Sequence, residues 1–203
     1  MGVPGDAPAG PLRSWSLRQV LARLLTGRTT SVAPVLTAAQ SERLQACARV
    51  LEAPARIVMT GQVSESARRA MTSGAVAGVE VLVVDPGEIK RIDGSIDVLF
   101  VGPTGRYSVA LAMLQQWPGR VVPGGTLFVH GAFALPAITT ALLRTIGSSR
   151  AWRYFDRDGS LAEYVQADLS HGERVLDAIA QAAQLPSFLR SLARGRAARL
   201  TSA

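Results

Sequence analysis

Few residues in this chain have the types and positions that do chemistry. His130 closes the apolar run Thr126-Leu-Phe-Val-His130 and so stands at a strand end, while His171, the other imidazole, opens a terminal helix where water would solvate it. An imidazole titrates near neutral pH and can take a proton from an acceptor hydroxyl. A structural, hydrogen-bonded His is the commoner occupant of such a position. Asp85 closes Val79-Glu-Val-Leu-Val-Val-Asp85 just before Pro86, a place that suits a carboxylate facing ligand hydroxyls and equally suits a turn residue. Thr60 and Gly61 end a third run, and Gly102-Pro-Thr-Gly105 follows a fourth without the Lys of a phosphate-binding loop. The chain has no G-x-S-x-G elbow, so hydrolase chemistry has no support. The single Cys47 excludes a disulfide framework and a four-cysteine zinc site, and is expected to be a small core residue.

The elements that must position these groups follow from the hydropathy pattern. Short apolar runs at 55–61, 79–85, 96–102 and 126–130 predict strands, with helices between them over about 64–73, 106–116 and 136–146. Continuous apolar strands alternating with helices predict a parallel sheet covered on both faces. Arg150–Phe155 and Leu161–Gln166 flank Asp158-Gly159 and predict an antiparallel hairpin. Pro123-Gly-Gly predicts a turn. A helix is expected at 37–52, and terminal helices at about 172–184 and 187–199, broken at Pro186. Leu17, Val20, Leu21, Leu24 and Leu25 fall at i, i+3, i+4, i+7 and i+8 with Arg18, Gln19 and Arg23 opposite, which predicts an amphipathic helix ending near Gly27. Its simplest place is against the main domain, and its Arg-bearing face also suits an interface.

At 203 residues with 48% hydrophobic content, the chain can bury a core as one domain. The net charge of +7 suggests nucleic acid until it is located. Residues 13–50 carry +5, residues 187–203 carry +4, and residues 51–186 carry −1. A fold that grips a phosphate backbone with its sheet would not be electrically balanced, so a nucleic-acid partner is not expected. The start of the chain has no secretory pattern, and no run reaches the ~18 apolar residues of a membrane span. These features predict a cytoplasmic protein that touches at most a membrane surface.

In an open α/β sheet, ligands sit beyond the carboxyl ends of the strands. The stretch Ile96-Asp97-Val-Leu-Phe-Val-Gly102-Pro-Thr-Gly105-Arg-Tyr107, then Trp117, then Pro123-Gly124-Gly125, then Phe128-Val-His130-Gly-Ala-Phe133 resembles the class I S-adenosylmethionine (SAM)-dependent methyltransferases. It is most similar to small members with D-G-D-H or D-G-x-H after the fourth strand and P-G-G before the fifth. About 38 residues align without a gap, and the resemblance extends over about 53–167. It implies a Rossmann-like three-layer α/β sandwich, mostly parallel, ending in an antiparallel hairpin. It also implies SAM as cofactor, held over Thr60, Gly61, Asp85 and Gly102, with His130 facing the acceptor.

The departures from that pattern are systematic. The D-G-D-H positions fall on Gly102-Pro103-Thr104-Gly105, an acid usual in the next helix falls on Met113, and the acid after the strand-five His falls on Gly131. A cation such as Mg²⁺ needs oxygen ligands that these residues do not supply, so no metal is expected. The acid of the first strand falls on Met59, and the second glycine of its loop falls on Glu65, which would oppose a ligand carboxylate. The ten residues between Asp85 and Ile96 are too few for the extra helix and strand that wall the adenine. The sheet should therefore be shortened between strands two and four.

The favoured expectation is a methyltransferase-like protein that is degenerate and non-catalytic. It would act by binding a protein partner or an anionic membrane surface through residues 12–27 and 187–199. The alternative is an active, metal-independent O-methyltransferase using SAM on a small hydroxylated acceptor. The expected organisation is a tail (1–11), N-terminal helices (12–52), the Rossmann-like unit (53–168) and basic C-terminal helices (169–203).

Overall fold

The computed structural model describes residues 35–186 together with 188 and 189. The expected tail at 1–11, the amphipathic helix ending near Gly27 and the helix at 187–199 lie outside the described residues. In chain order the elements are α1 (Ala38–Arg49), β1 (Ala55–Thr60), α2 (Glu65–Gly74), β2 (Val79–Val84), β3 (Ile96–Val101), α3 (Tyr107–Gln116), β4 (Val121–His130), α4 (Pro136–Thr145), β5 (Trp152–Asp158), β6 (Leu161–Gln166) and α5 (His171–Ala182). The sheet order is β2-β1-β3-β4-β6-β5. β2, β1, β3 and β4 are parallel, and β6 runs antiparallel to both β4 and β5.

Alternation along the strands sorts their side chains onto two faces. On one face Val58, Leu99, Val101, Leu127 and Val129 meet Met113 and Leu114 of α3 and Ile138 and Leu142 of α4. On the other, Ile57, Met59, Phe100 and Phe128 meet Leu44 and Ala48 of α1 and Ala67 and Met71 of α2. Trp117 and Phe133 are core residues, as their apolar settings predict. Three of the five described helices start with a side-chain cap. Thr37 caps α1 in a reciprocal box with Gln40, Ser64 caps α2, and Ser170 with Glu173 boxes α5.

Two expectations are corrected. Pro123-Gly124-Gly125 is not a turn but lies inside β4, which runs from Val121. Gly124 has φ +81°, and the β3–β4 register shifts between Ile96 and Val98. The motif makes a bulge in a long strand. β2 is covered on its two faces only in part. It is the edge of the sheet, and Val83 is half exposed. Its continuous apolar run imitates a central strand because Leu82 and Val84 pack on one face and Val79 and Val81 on the other.

The connection from β2 to β3 is short, as its length predicts, with one 3₁₀ turn at Ile89–Arg91. It is fastened to the far end of α3: the Trp117 indole N–H donates to the Pro86 carbonyl at 3.1 Å, and the Arg120 guanidinium donates to the Ile92 carbonyl. No helix among the described residues is long and apolar enough to cross a membrane.

Candidate functional site

The carboxyl ends of β1, β3 and β4 lie side by side, because Thr60 pairs with Val101 and Val101 with Val129. Thr60, Gly61, Gly102 and His130 are thereby brought to one edge of the sheet. They do not form one cluster. Thr60 shares a face with Val101 and Val129, and His130, one residue further along β4, points to the opposite face with Phe100 and Phe128.

The loops after β1 and β3 close on each other. The Gly102 N–H donates to the Thr60 carbonyl at 2.7 Å. A Cβ on Gly102 would lie 2.4 Å from the Gln62 carbonyl oxygen, and one on Gly61 would lie 2.9 Å from the Gly102 oxygen. Gly61 also has φ +81°, which a side chain disfavours. Both glycines are therefore required by backbone touching backbone.

Thr60 is fully buried and its Oγ1 has no hydrogen-bond partner. His130 is 2% exposed, its Nε2 is likewise unpartnered, and its ring centroid lies 6.3 Å from that of Phe100. Burial lowers its pKa to about 4, so the imidazole is neutral at pH 7 and a weak base. The turn after β4 covers it. Gly131 has φ +91° and Phe133 φ +55°, the Leu135 N–H donates to the Gly131 carbonyl, and residues 131–133 are buried. A base working on a bound acceptor needs hydrogen-bond reach to it, which this enclosure does not provide.

Asp85 sits at the exposed edge, its carbonyl accepting the Glu88 N–H at 2.9 Å in a turn. No cation among the described residues pairs with its carboxylate. Glu65, at the first turn of α2, is held by hydrogen bonds from Arg68 and Arg69, which lower its pKa to about 2. The carboxylate therefore stays ionised at the α2 start, where the helix dipole also favours it, and Arg68 and Arg69 offset its charge. Among the described residues no group of three or more His, Cys, Asp or Glu side chains could hold a metal ion. Cys47 is half-buried, and burial pushes its thiol up to about 11, so it is not a nucleophile.

One arrangement escaped the pattern reading. Gln40 of α1 is buried and donates to the Asp158 carbonyl at 2.7 Å, while Arg43 pairs with Glu163 at 2.6 Å and Asp156 at 2.8 Å. These ties bind α1 to the hairpin across more than a hundred residues. The signal available was a pair of polar residues three apart on the inner side of a predicted helix.

Comparison with solved structures gives the fold. The cofactor-bound Rv0187 protein from MTB superposes with a TM-score of 0.53 at 14% identity, over 76% of this chain and 94% of that one. The O-methyltransferase from Bacillus cereus in complex with SAH gives 0.52 at 12% identity, over 72% and 90%. A protein from Corynebacterium glutamicum gives 0.53 at 13% identity, over 74% and 90%. The comparisons with family models and with curated proteins find no match. The fold is thus Rossmann-like and methyltransferase-like, a mixed six-stranded sheet that is mostly parallel with antiparallel C-terminal strands.

Proposed function

We propose that this chain is a methyltransferase-like protein that has given up catalysis and works by attachment to a partner. The observation that carries this reading is His130, the one retained residue of catalytic type, which is buried with its Nε2 unpartnered and is enclosed by the turn at residues 131–133. The surrounding residues agree. Met59 replaces an acid, Glu65 stands where the resembled loop has its second glycine, and among the described residues no strand lies beyond β2 to wall an adenine. The residues present do not fit SAM, and no step is derived through it. Attachment falls to the basic ends, including the four Arg of residues 187–203, onto an acidic protein partner or an anionic membrane surface.

The second reading, a metal-independent O-methyltransferase, draws on exposed Asp85 and on a neighbour that is an O-methyltransferase bound to SAH. Methyl transfer needs alignment of donor and acceptor more than a metal. Calorimetry with SAM and SAH separates the two. The expected result is no saturable heat up to millimolar ligand. Micromolar binding that disappears in Asp85→Ala would establish the second reading instead. For the attachment, pelleting of the full chain with anionic vesicles should weaken when Arg190, Arg194, Arg196 and Arg199 are all changed to Ser; unchanged pelleting removes that role from the tail.

A further inference from the structure

α5 is docked inside out. Its polar stripe, Arg174, Asp177, Gln181 and Gln184, turns toward the protein. Asp177 accepts the Tyr154 N–H at the edge of β5, and the Gln181 amide donates to Asp177 at 2.6 Å and lies against Tyr164. Gly172, Val175, Leu176, Ile179, Ala182 and Ala183 therefore form the outward stripe, with Val175 49%, Leu176 69% and Ile179 61% exposed. An amphipathic helix normally buries its apolar face. The reverse placement, with a contiguous apolar row in water, marks a docking surface.

We infer that the apolar face of residues 17–25 of the same chain covers this stripe. The two rows share the helical period and the spacing of their first four positions. Leu17, Val20, Leu21, Leu24 and Leu25 repeat the spacing of Gly172, Val175, Leu176, Ile179 and Ala183 closely enough to interdigitate. At 1.5 Å per residue the 17–25 row spans about 12 Å and fits within the 172–183 row, which spans about 16 Å.

The chain outside the described residues also reaches. Gln40 touches the Asp158 carbonyl, Asp158 stands four residues from Tyr154 along β5, about 13 Å, and Tyr154 touches Asp177. The middle of α5 therefore lies within roughly 20 Å of Gln40, while residues 26–36 span up to about 36 Å when extended.

Charge favours the same occupant. Residues 13–28 carry four Arg and no acid. From Arg150 to Pro186 the chain carries six acids against four Arg, a net of −2. A second α5 would bring like charge to like, whereas the 13–28 segment brings the opposite charge. Docked this way, residues 17–25 keep Arg18, Gln19 and Arg23 on the outside.

The test uses the full chain and amide hydrogen exchange read by mass spectrometry. Residues 17–25 should exchange about tenfold or more slowly than an unstructured segment. Ile179→Glu, an exposed position, should abolish that protection and leave β1 and β3 unchanged. Leu21→Glu with Leu24→Glu should do the same, and light scattering should report a monomer throughout. Free exchange of 17–25 in the unsubstituted protein overturns the inference, as does protection that survives Ile179→Glu. A dimer dissociated by Ile179→Glu but not by the Leu21 and Leu24 changes would assign the stripe to a second copy. Vesicle pelleting lost on Ile179→Glu would assign it to a membrane. The calorimetric test of SAM binding is independent of every one of these outcomes.

Discussion

At the scale of the residue, His130 shows how a group with catalytic potential becomes a structural one. Its Nε2 is buried without a partner, and its pKa lies near 4 against an ordinary value of 6.5. The unfolded chain thus binds a proton that the folded chain refuses between those two pH values. Stability should be intact above about pH 6.5 and fall as pH drops toward 4, by up to about 3 kcal/mol. Thermal melts from pH 7 to 4 read this directly. His130→Leu should flatten that part of the profile, and at pH 5 it should melt no lower than the unsubstituted protein, because it also removes an unsatisfied buried nitrogen. A profile unchanged by the substitution would show that His130 does not refuse the proton.

At the scale of the element, strand and helix positions were largely legible because strand runs, caps and hairpin turn leave local signatures. Ser64 sits at the N-cap where its type predicts, and the Arg150–Gln166 segment is the hairpin. Coverage was not legible. The run Val79–Val84 is as apolar as Ile96–Val101, yet one strand is the sheet edge and the other lies between β1 and β4. Periodicity reports which residues are apolar and is silent on how many neighbours a strand has. The Pro-Gly-Gly bulge was missed for a related reason, since the same residues that turn a chain also admit extra residues in a strand, three of them between Val121 and Thr126. Edge and centre should differ in energy. Val83→Ala should change stability by less than about 0.5 kcal/mol, while Ile57→Ala, fully buried in the neighbouring strand, should cost about 3 kcal/mol by urea unfolding. Similar costs at the two positions would mean that β2 is covered in solution.

At the scale of the molecule, ties between remote segments hold the layers together, and these no local pattern reveals. Arg43 of α1 reaches Glu163 in β6 and Asp156 in β5. Burial raises the Glu163 pKa even with Arg43 beside it, so desolvation outweighs the pairing. Arg43→Met should leave a buried carboxylate uncompensated and cost about 2–3 kcal/mol at pH 8. The folded form would then hold its proton more tightly than the unfolded one, so the loss should shrink as pH falls toward 5. Adding Glu163→Gln should recover most of it. A loss independent of pH would locate the effect in packing of the Arg43 stem. The candidate site was legible in the same partial way: missing acids can be read from positions, but the contact of Gly102 with Gln62 exists only once two crossovers have folded.

The acceptance of the Tyr154 N–H by Asp177 has a further consequence for the sheet as a polymerising object. A sheet can in principle add chains at both margins, and growth at both produces filaments. Here a helix side chain occupies a hydrogen-bonding position on the β5 margin, while among the described residues no strand pairs with the outer margin of β2. With one end stoppered, margin-to-margin association of these sheets can join two molecules through β2 and then has nowhere to continue. The inverted helix acts as a chain terminator against fibre growth.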